Sequence, residues 1–210
     1  MITLRLLDSV STIQRNVNAA ISQVINDKIT RNQNRILSEC RSLAGDWILS
    51  QPEISSLSSS SPDSLAGQFG IPAALVSNVI SSIRSSVENS LDIRFIRYNE
   101  KLRGGLEIYF QPNNFVNLLS LSQGHVIYRG GDLHWLDWLI KRGDNVIVVN
   151  YQYNPQSGLG RSGLGTMVLG GSFRVPPQFS GTDDNNFITR ALIGTSQENQ
   201  ISQIIQRALA

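Results

Sequence analysis

A chain of 210 residues with 40% hydrophobic content has enough apolar mass to bury a real core, as one large or two small domains. Charged residues make up only 16% and the net charge is +2, which excludes a strong field for nucleic acid or membrane and leaves a surface of Ser, Asn, Gln and Gly suited to lasting protein contacts. The single cysteine, Cys40, excludes an intrachain disulfide, and with His125 and His134 as the two histidines there is no Cys/His set for a zinc site.

The amino-terminal segment MITLRLLDSV has no long uncharged apolar core and no small-residue cleavage pattern, so a secretory signal is not expected. No run reaches the roughly 18 apolar residues that span a bilayer. These features point to a protein kept in a cytoplasm, or in a particle assembled there.

Leu6, Val10, Ile13, Val17, Ala20 and Val24 alternate steps of four and three, the spacing of one helix stripe. After a slip the stripe resumes as Ile25, Ile29, Ile36, Cys40, Leu43 and Trp47, predicting one exceptionally long helix or two with a break near residues 30–34. Cys40, set among Ile36, Leu43 and Ala44, reads as a buried structural thiol rather than a nucleophile. Pro52 ends the helical region, and the serine run at 55–62 reads as a hinge. The stretch from Pro62 to Ile83 has the cadence of a helix-turn-helix. Its second helix opens on Pro72, Ala73, Ala74 and Leu75, however, with no basic group before Arg84, so a helical hairpin shaped by Gly70 and Pro72 is the favoured reading over DNA recognition.

From Leu91 the apolar period changes to two. LDIRFIRY and GLEIYFQP alternate across a turn at residues 101–105 and predict a β-hairpin. Residues 132–142 read as an amphipathic helix with Asp132 as N-cap and Gly143 beyond its end, Trp135 and Trp138 anchoring it to the core. NVIVVNY, residues 145–151, reads as a buried strand, and a last helix is expected over residues 196–209.

The segment SGLGRSGLGTMVLGG, residues 157–171, contains G-x-G-x-x-G at Gly158, Gly160 and Gly163. A dinucleotide fingerprint needs a strand before those glycines and a helix after them. Here Pro155 intervenes upstream, and the β-prone Thr166–Leu169 follows, so the options are a mobile loop, a glycine-rich hairpin or a segment that orders against a partner. Early trypsin cleavage at Arg161 is the expectation for a mobile loop. Other candidate chemistry is sparse: His134 and His125 sit in apolar or strand contexts, and Asp183-Asp184 reads as a solvated turn rather than a cation site. No catalytic residue, cofactor site or metal site is expected.

Trp135 and Trp138 in the helix, the Arg161-Ser162-Gly163 loop, Phe173-Arg174-Val175-Pro176-Pro177 with Phe179 and Gly181, and Asn186-Phe187 with Thr189-Arg190-Ala191 together form a pattern across residues 130–193. This pattern resembles tailed-bacteriophage virion proteins of the neck and tail-completion (head–tail connector) group. The chain is longer than the compact members of that group, which leaves its rank in the neck open. The resemblance implies an α+β fold, with a long amino-terminal helix and a helical hairpin packed on a mostly antiparallel sheet, a glycine-rich loop and a carboxy-terminal helix. The change of apolar period at Leu91 divides the chain into a helical region, 1–90, and a β-rich region, 91–210. The resemblance also implies a homo-oligomeric ring in the virion, with neighbouring neck or tail proteins as partners, passive contact with genomic DNA and none with membrane. Candidate subunit-interface residues are Phe173, Arg174, Pro176, Pro177, Phe179, Arg161 and Arg190, the Pro-Pro segment serving as a stiff arm with an aromatic anchor at each end. The alternatives are a helix-turn-helix regulator and an enzyme using the glycine loop on a nucleotide.

Overall fold

The computed structural model describes residues 7–112, 114–128 and 130–209. The fold is α+β, with a long amino-terminal helix, antiparallel hairpins and a carboxy-terminal helix. Helix α1 is unbroken over Val10–Leu49. The slip in apolar spacing therefore marks a change of face rather than a break: Ser22, Ile29, Ile36, Cys40, Ala44 and Ile48 are all buried on steps of seven and four. Among the described residues the expected sheet is three separate two-stranded ones. Strands β1 (Leu91–Ile96) and β2 (Gly105–Phe110) pair from Leu91↔Phe110 to Ile96↔Gly105. Strands β3 (Val126–Tyr128) and β4 (Gly131–Leu133) form a short hairpin, and β5 (Val148–Asn154) pairs with β6 (Thr166–Phe173).

The chain divides into two compact units. One unit joins the described residues up to Cys40, the β1–β2 hairpin and the chain from Asn199. Within it Ser22 Oγ donates to the Asn99 carbonyl at 2.6 Å, and Asn26 both donates to the Tyr98 carbonyl and accepts from its N–H, at 3.0 and 2.8 Å. Ile29, Ile36, Leu91, Ile93, Ile204 and Ala208 are its buried apolar residues, with Cys40. Burial, helped by Glu39, pushes the Cys40 thiol up to about 11, which keeps it protonated and inert.

The other unit comprises Arg41–Ser90 and Gln111–Glu198. Helix α2 (Pro52–Ser58) starts on Pro52, whose missing N–H would be unpaired in a first turn anyway. The expected serine hinge is thus half helix, and Ser56 Oγ accepts the Leu65 N–H at 3.1 Å, tying the rest down. Helix α3 (Leu65–Phe69) is capped by Ser64 and stopped by Gly70 at φ 68°. Helix α4 (Ala73–Ser90) buries Val79, Ile83 and Val87 on steps of four, each adding about 1.5–3 kcal/mol by leaving water. After the single turn of α5 (Val116–Leu119), helix α6 begins at Trp135–Asp137 and widens into a π-helical turn over Trp138–Arg142. Asp132 lies in β4 rather than at the expected N-cap, because residues 131–133 pair with 126–128. Helix α7 (Phe187–Leu192) opens on an Asn186–Thr189 capping box, and α8 spans Thr195–Leu209.

Candidate functional site

The glycine loop closes the β5–β6 hairpin. It leads into a strand, so no helix follows its glycines. The N–H groups a phosphate would need are already used: Gly160 donates to the Leu164 carbonyl at 2.6 Å, Gly163 to the Gly160 carbonyl at 3.0 Å, and Leu164 to Ser162 Oγ at 3.2 Å. A Cβ on Gly165 would stand 2.3 Å from the Asn154 carbonyl oxygen, and one on Gly160 would stand 2.4 Å from the Gly165 oxygen. The glycines therefore serve close backbone crossing, which selects the hairpin among the three readings of this segment. Arg161 donates to the Ile127 carbonyl, and Ser162 is buried.

Lower in the hairpin the pairing slips between Val149↔Ser172 and Tyr151↔Leu169. Asn150, at φ 65°, faces Gly170 and Gly171, which both have positive φ. This bulge turns side chains outward, so the run expected to be a buried strand exposes Val149 at 67%, and Leu169 on the partner strand is 78% exposed. Among the described residues no third strand pairs with β5 or β6, and both outer edges stay open.

Between this hairpin, the β3–β4 hairpin and the Gly67–Gly70 corner lies a cleft of about 560 Å³. Its walls are largely apolar, including Phe69, Val126, Leu133, Met167 and Phe173. Its polar tips are committed: the Tyr153 hydroxyl donates to the Pro62 carbonyl at 2.6 Å, and Asp132 pairs with His125 at 2.9 Å. Such a cleft can receive apolar side chains and offers little to a charged substrate.

His125 and His134 stack with ring centroids 4.0 Å apart, and His134 Nε2 is buried with no hydrogen-bond partner. Burial first, then the neighbouring His125, holds the His134 imidazole below its usual value. The pair is a protonation-sensitive packing contact. The eight residues between the two histidines include β3 and β4, strands of three residues each that are too short to show a period, so no periodicity could have announced it. Among the described residues no group of three or more His, Cys, Asp or Glu side chains is placed to hold a metal, and Asp183 is an exposed partner of Lys141 at 3.6 Å.

The structure scatters the candidate interface residues. Phe173 is 4% exposed and packs edge-on to Phe69 at 6.3 Å. Val175 is fully buried between exposed Arg174 and half-buried Pro176. The arm does not stay extended: the Phe179 N–H bonds the Pro176 carbonyl at 2.9 Å, and Pro177–Phe179 form a turn with Phe179 half-buried. Arg190 turns inward to the fully buried Glu53, with Asn185 as a second partner at 3.1 Å. Arg161 and Pro177 remain exposed. The sequence reading missed Glu53, whose carboxyl is driven up by desolvation against the opposing pull of its own backbone N–H and Arg190, and whose Oε2 has no partner. At the α3–α4 corner, Ala73, Ala74 and Leu75 are the exposed start of α4, an apolar face rather than a basic one. No helix among the described residues is long and apolar enough to cross a membrane. Comparisons with protein-family models, curated proteins and solved structures return no match.

Proposed function

We propose that the chain is a structural subunit of a tailed-phage virion, one copy of a homo-oligomeric ring at the head–tail junction or tail terminus. The observation that carries this reading is the β5–β6 hairpin, a two-stranded sheet with both edges open and with Val149, Tyr151 and Leu169 exposed. An isolated hairpin is marginal in water and its open edges are templates for another chain, so a head-to-tail contact between copies would complete it. The likeness of residues 130–193 to neck and tail-completion proteins supports the same reading and names the particle. Light scattering on the purified chain over a concentration series, with negative-stain images of the largest species, tests it. Closed rings are expected, and Leu169→Asp should abolish them while leaving a folded protein. A wild-type chain that never exceeds a dimer at any concentration overturns the proposal.

A further inference from the structure

The first four turns of α1 carry five large apolar residues, Val10, Ile13, Val17, Ile21 and Val24. Their exposures are 74, 37, 50, 42 and 56%. At 100° per residue they lie on a face turned by roughly 120° from the buried Ser22, Ile29 and Ile36. The order Val, Ile, Val, Ile, Val with steps of three, four, four and three reads the same in both directions about Val17. Between Val10 and Ile25 the only charged residue is Arg15, which bridges to Glu100 at 3.8 Å.

We infer that this stripe is a two-fold self-docking surface. The α1 of one copy lies antiparallel on the α1 of a second, with Val17 against its own equivalent, Ile13 against Ile21, and Val10 against Val24. About a two-fold at Val17 the palindrome sets valine against valine and isoleucine against isoleucine in one register, so the stripe is self-complementary, as an isologous contact requires. Val10, Val17 and Val24 recur every seven residues with isoleucines between, the spacing at which another helix can seat its side chains. The near absence of charge removes the repulsion that like surfaces usually meet, and it gives a chemically different partner nothing to set its register. Further along α1, the same side of the helix is polar: Lys28 donates to the Leu209 carbonyl at 2.6 Å and Arg35 to that of Arg207 at 3.4 Å, both at the end of α8. Fifteen residues of helix give a contact about 22 Å long, at the small end of specific interfaces. A two-fold contact closes on two copies, so the inference does not rest on the ring proposed above, which needs head-to-tail contacts.

Single cysteines in the full chain, crosslinked by a short bismaleimide, test both partner and register; native Cys40 is buried and does not compete. Val17→Cys should give a covalent dimer in high yield. Val10→Cys alone should link poorly, because its equivalents stand about 21 Å apart across the two-fold, whereas Val10→Cys mixed with Val24→Cys should link well. Val17→Glu should raise the dimer dissociation constant at least tenfold with helix content unchanged. Self-linking of Val10→Cys, Val17→Cys and Val24→Cys alike would mean parallel pairing and overturn the inference, as would the absence of any crosslink. Rings seen with Val17→Glu and no Val17→Cys crosslink would defeat this contact alone; a crosslinked dimer that never grows larger would defeat the ring alone.

Discussion

Replacing Gly165 by alanine probes the claim that the glycine segment is a closed hairpin. The new methyl would stand 2.3 Å from the Asn154 carbonyl oxygen, 2.5 Å from Pro155 Cα and 2.9 Å from the Tyr153 hydroxyl. Carbon contacts settle at about 3.5–4.0 Å, so the two crossing backbones must part by about 1 Å. Overpacking costs about 1–3 kcal/mol, and the upper end applies because two of the three obstacles are main chain. Gly163→Ala meets nothing within 4 Å but keeps φ at 79°, which costs an L-residue about 1–2 kcal/mol. Gly105→Ala in β2 meets nothing within 4 Å and should stabilise by about 0.4–1 kcal/mol through the unfolded chain. Urea unfolding followed by far-ultraviolet circular dichroism should rank the three in that order, and trypsin should cut after Arg161 fastest in Gly165→Ala. If Gly165→Ala were as stable as Gly105→Ala, with wild-type cleavage kinetics, the close crossing would not exist.

Trp135→Ala should cost about 3–5 kcal/mol, because the indole is fully buried, lies 5.5 Å from Phe69 and donates to the Gln123 carbonyl; half-buried Trp138, which donates to the Asn145 carbonyl and sits under Arg142, should cost only about 1–2 kcal/mol. Equal losses in urea unfolding would contradict that division. Arg190→Ala strands the Glu53 carboxylate and should cost about 2 kcal/mol, less than a fully buried pair because Arg190 is 38% exposed; adding Glu53→Gln should recover much of the loss, and a double variant no better than the single would refute the pairing. Stability should also fall as pH drops below the ordinary histidine value of about 6.5: His134 is held neutral in the native state, so the unfolded chain binds more protons in that window. His134→Gln should flatten the change in urea midpoint between pH 7.5 and 5.5, and an unaltered slope would assign the dependence to other groups.

The β1–β2 hairpin was legible because Leu91, Ile93 and Phe95 alternate with polar residues, and a period of two has few other readings. The unbroken α1 was legible only in part. A helix that buries one face near Ser22 and presents another near Val17 looks, in one dimension, like a slipped stripe. Asp132 misled because an acidic residue ahead of a Leu/Trp stripe is a good cap, while three-residue strands leave no period to compete with it. The Val146–Val149 run misled for a different reason: β-branched density signals strand, but the bulge opposite Gly170 and Gly171 decides which side chains reach the core. Phe173 beside Pro176 and Pro177 suggested a free arm, and its burial against Phe69 depends on a residue more than a hundred positions earlier. The Glu53–Arg190 pair was invisible for the same reason, being long-range and made of residue types normally left in water.

That pair also sets a schedule. Glu53 and Arg190 are separated by 137 residues, and a ribosome adding about 5–20 residues per second needs about 7–27 s to deliver the second after the first. Throughout that interval Glu53 has no cation to meet and is best solvated, so α2 gains little by burying it early. The unit that contains both residues takes its chain from either side of the β1–β2 hairpin, and Arg190 lies in α7, behind nearly all of that unit's other elements. Nascent chains should therefore stay open in this region, with Ile54, Leu57 and Trp135 accessible to chaperones, until Arg190 has left the exit tunnel.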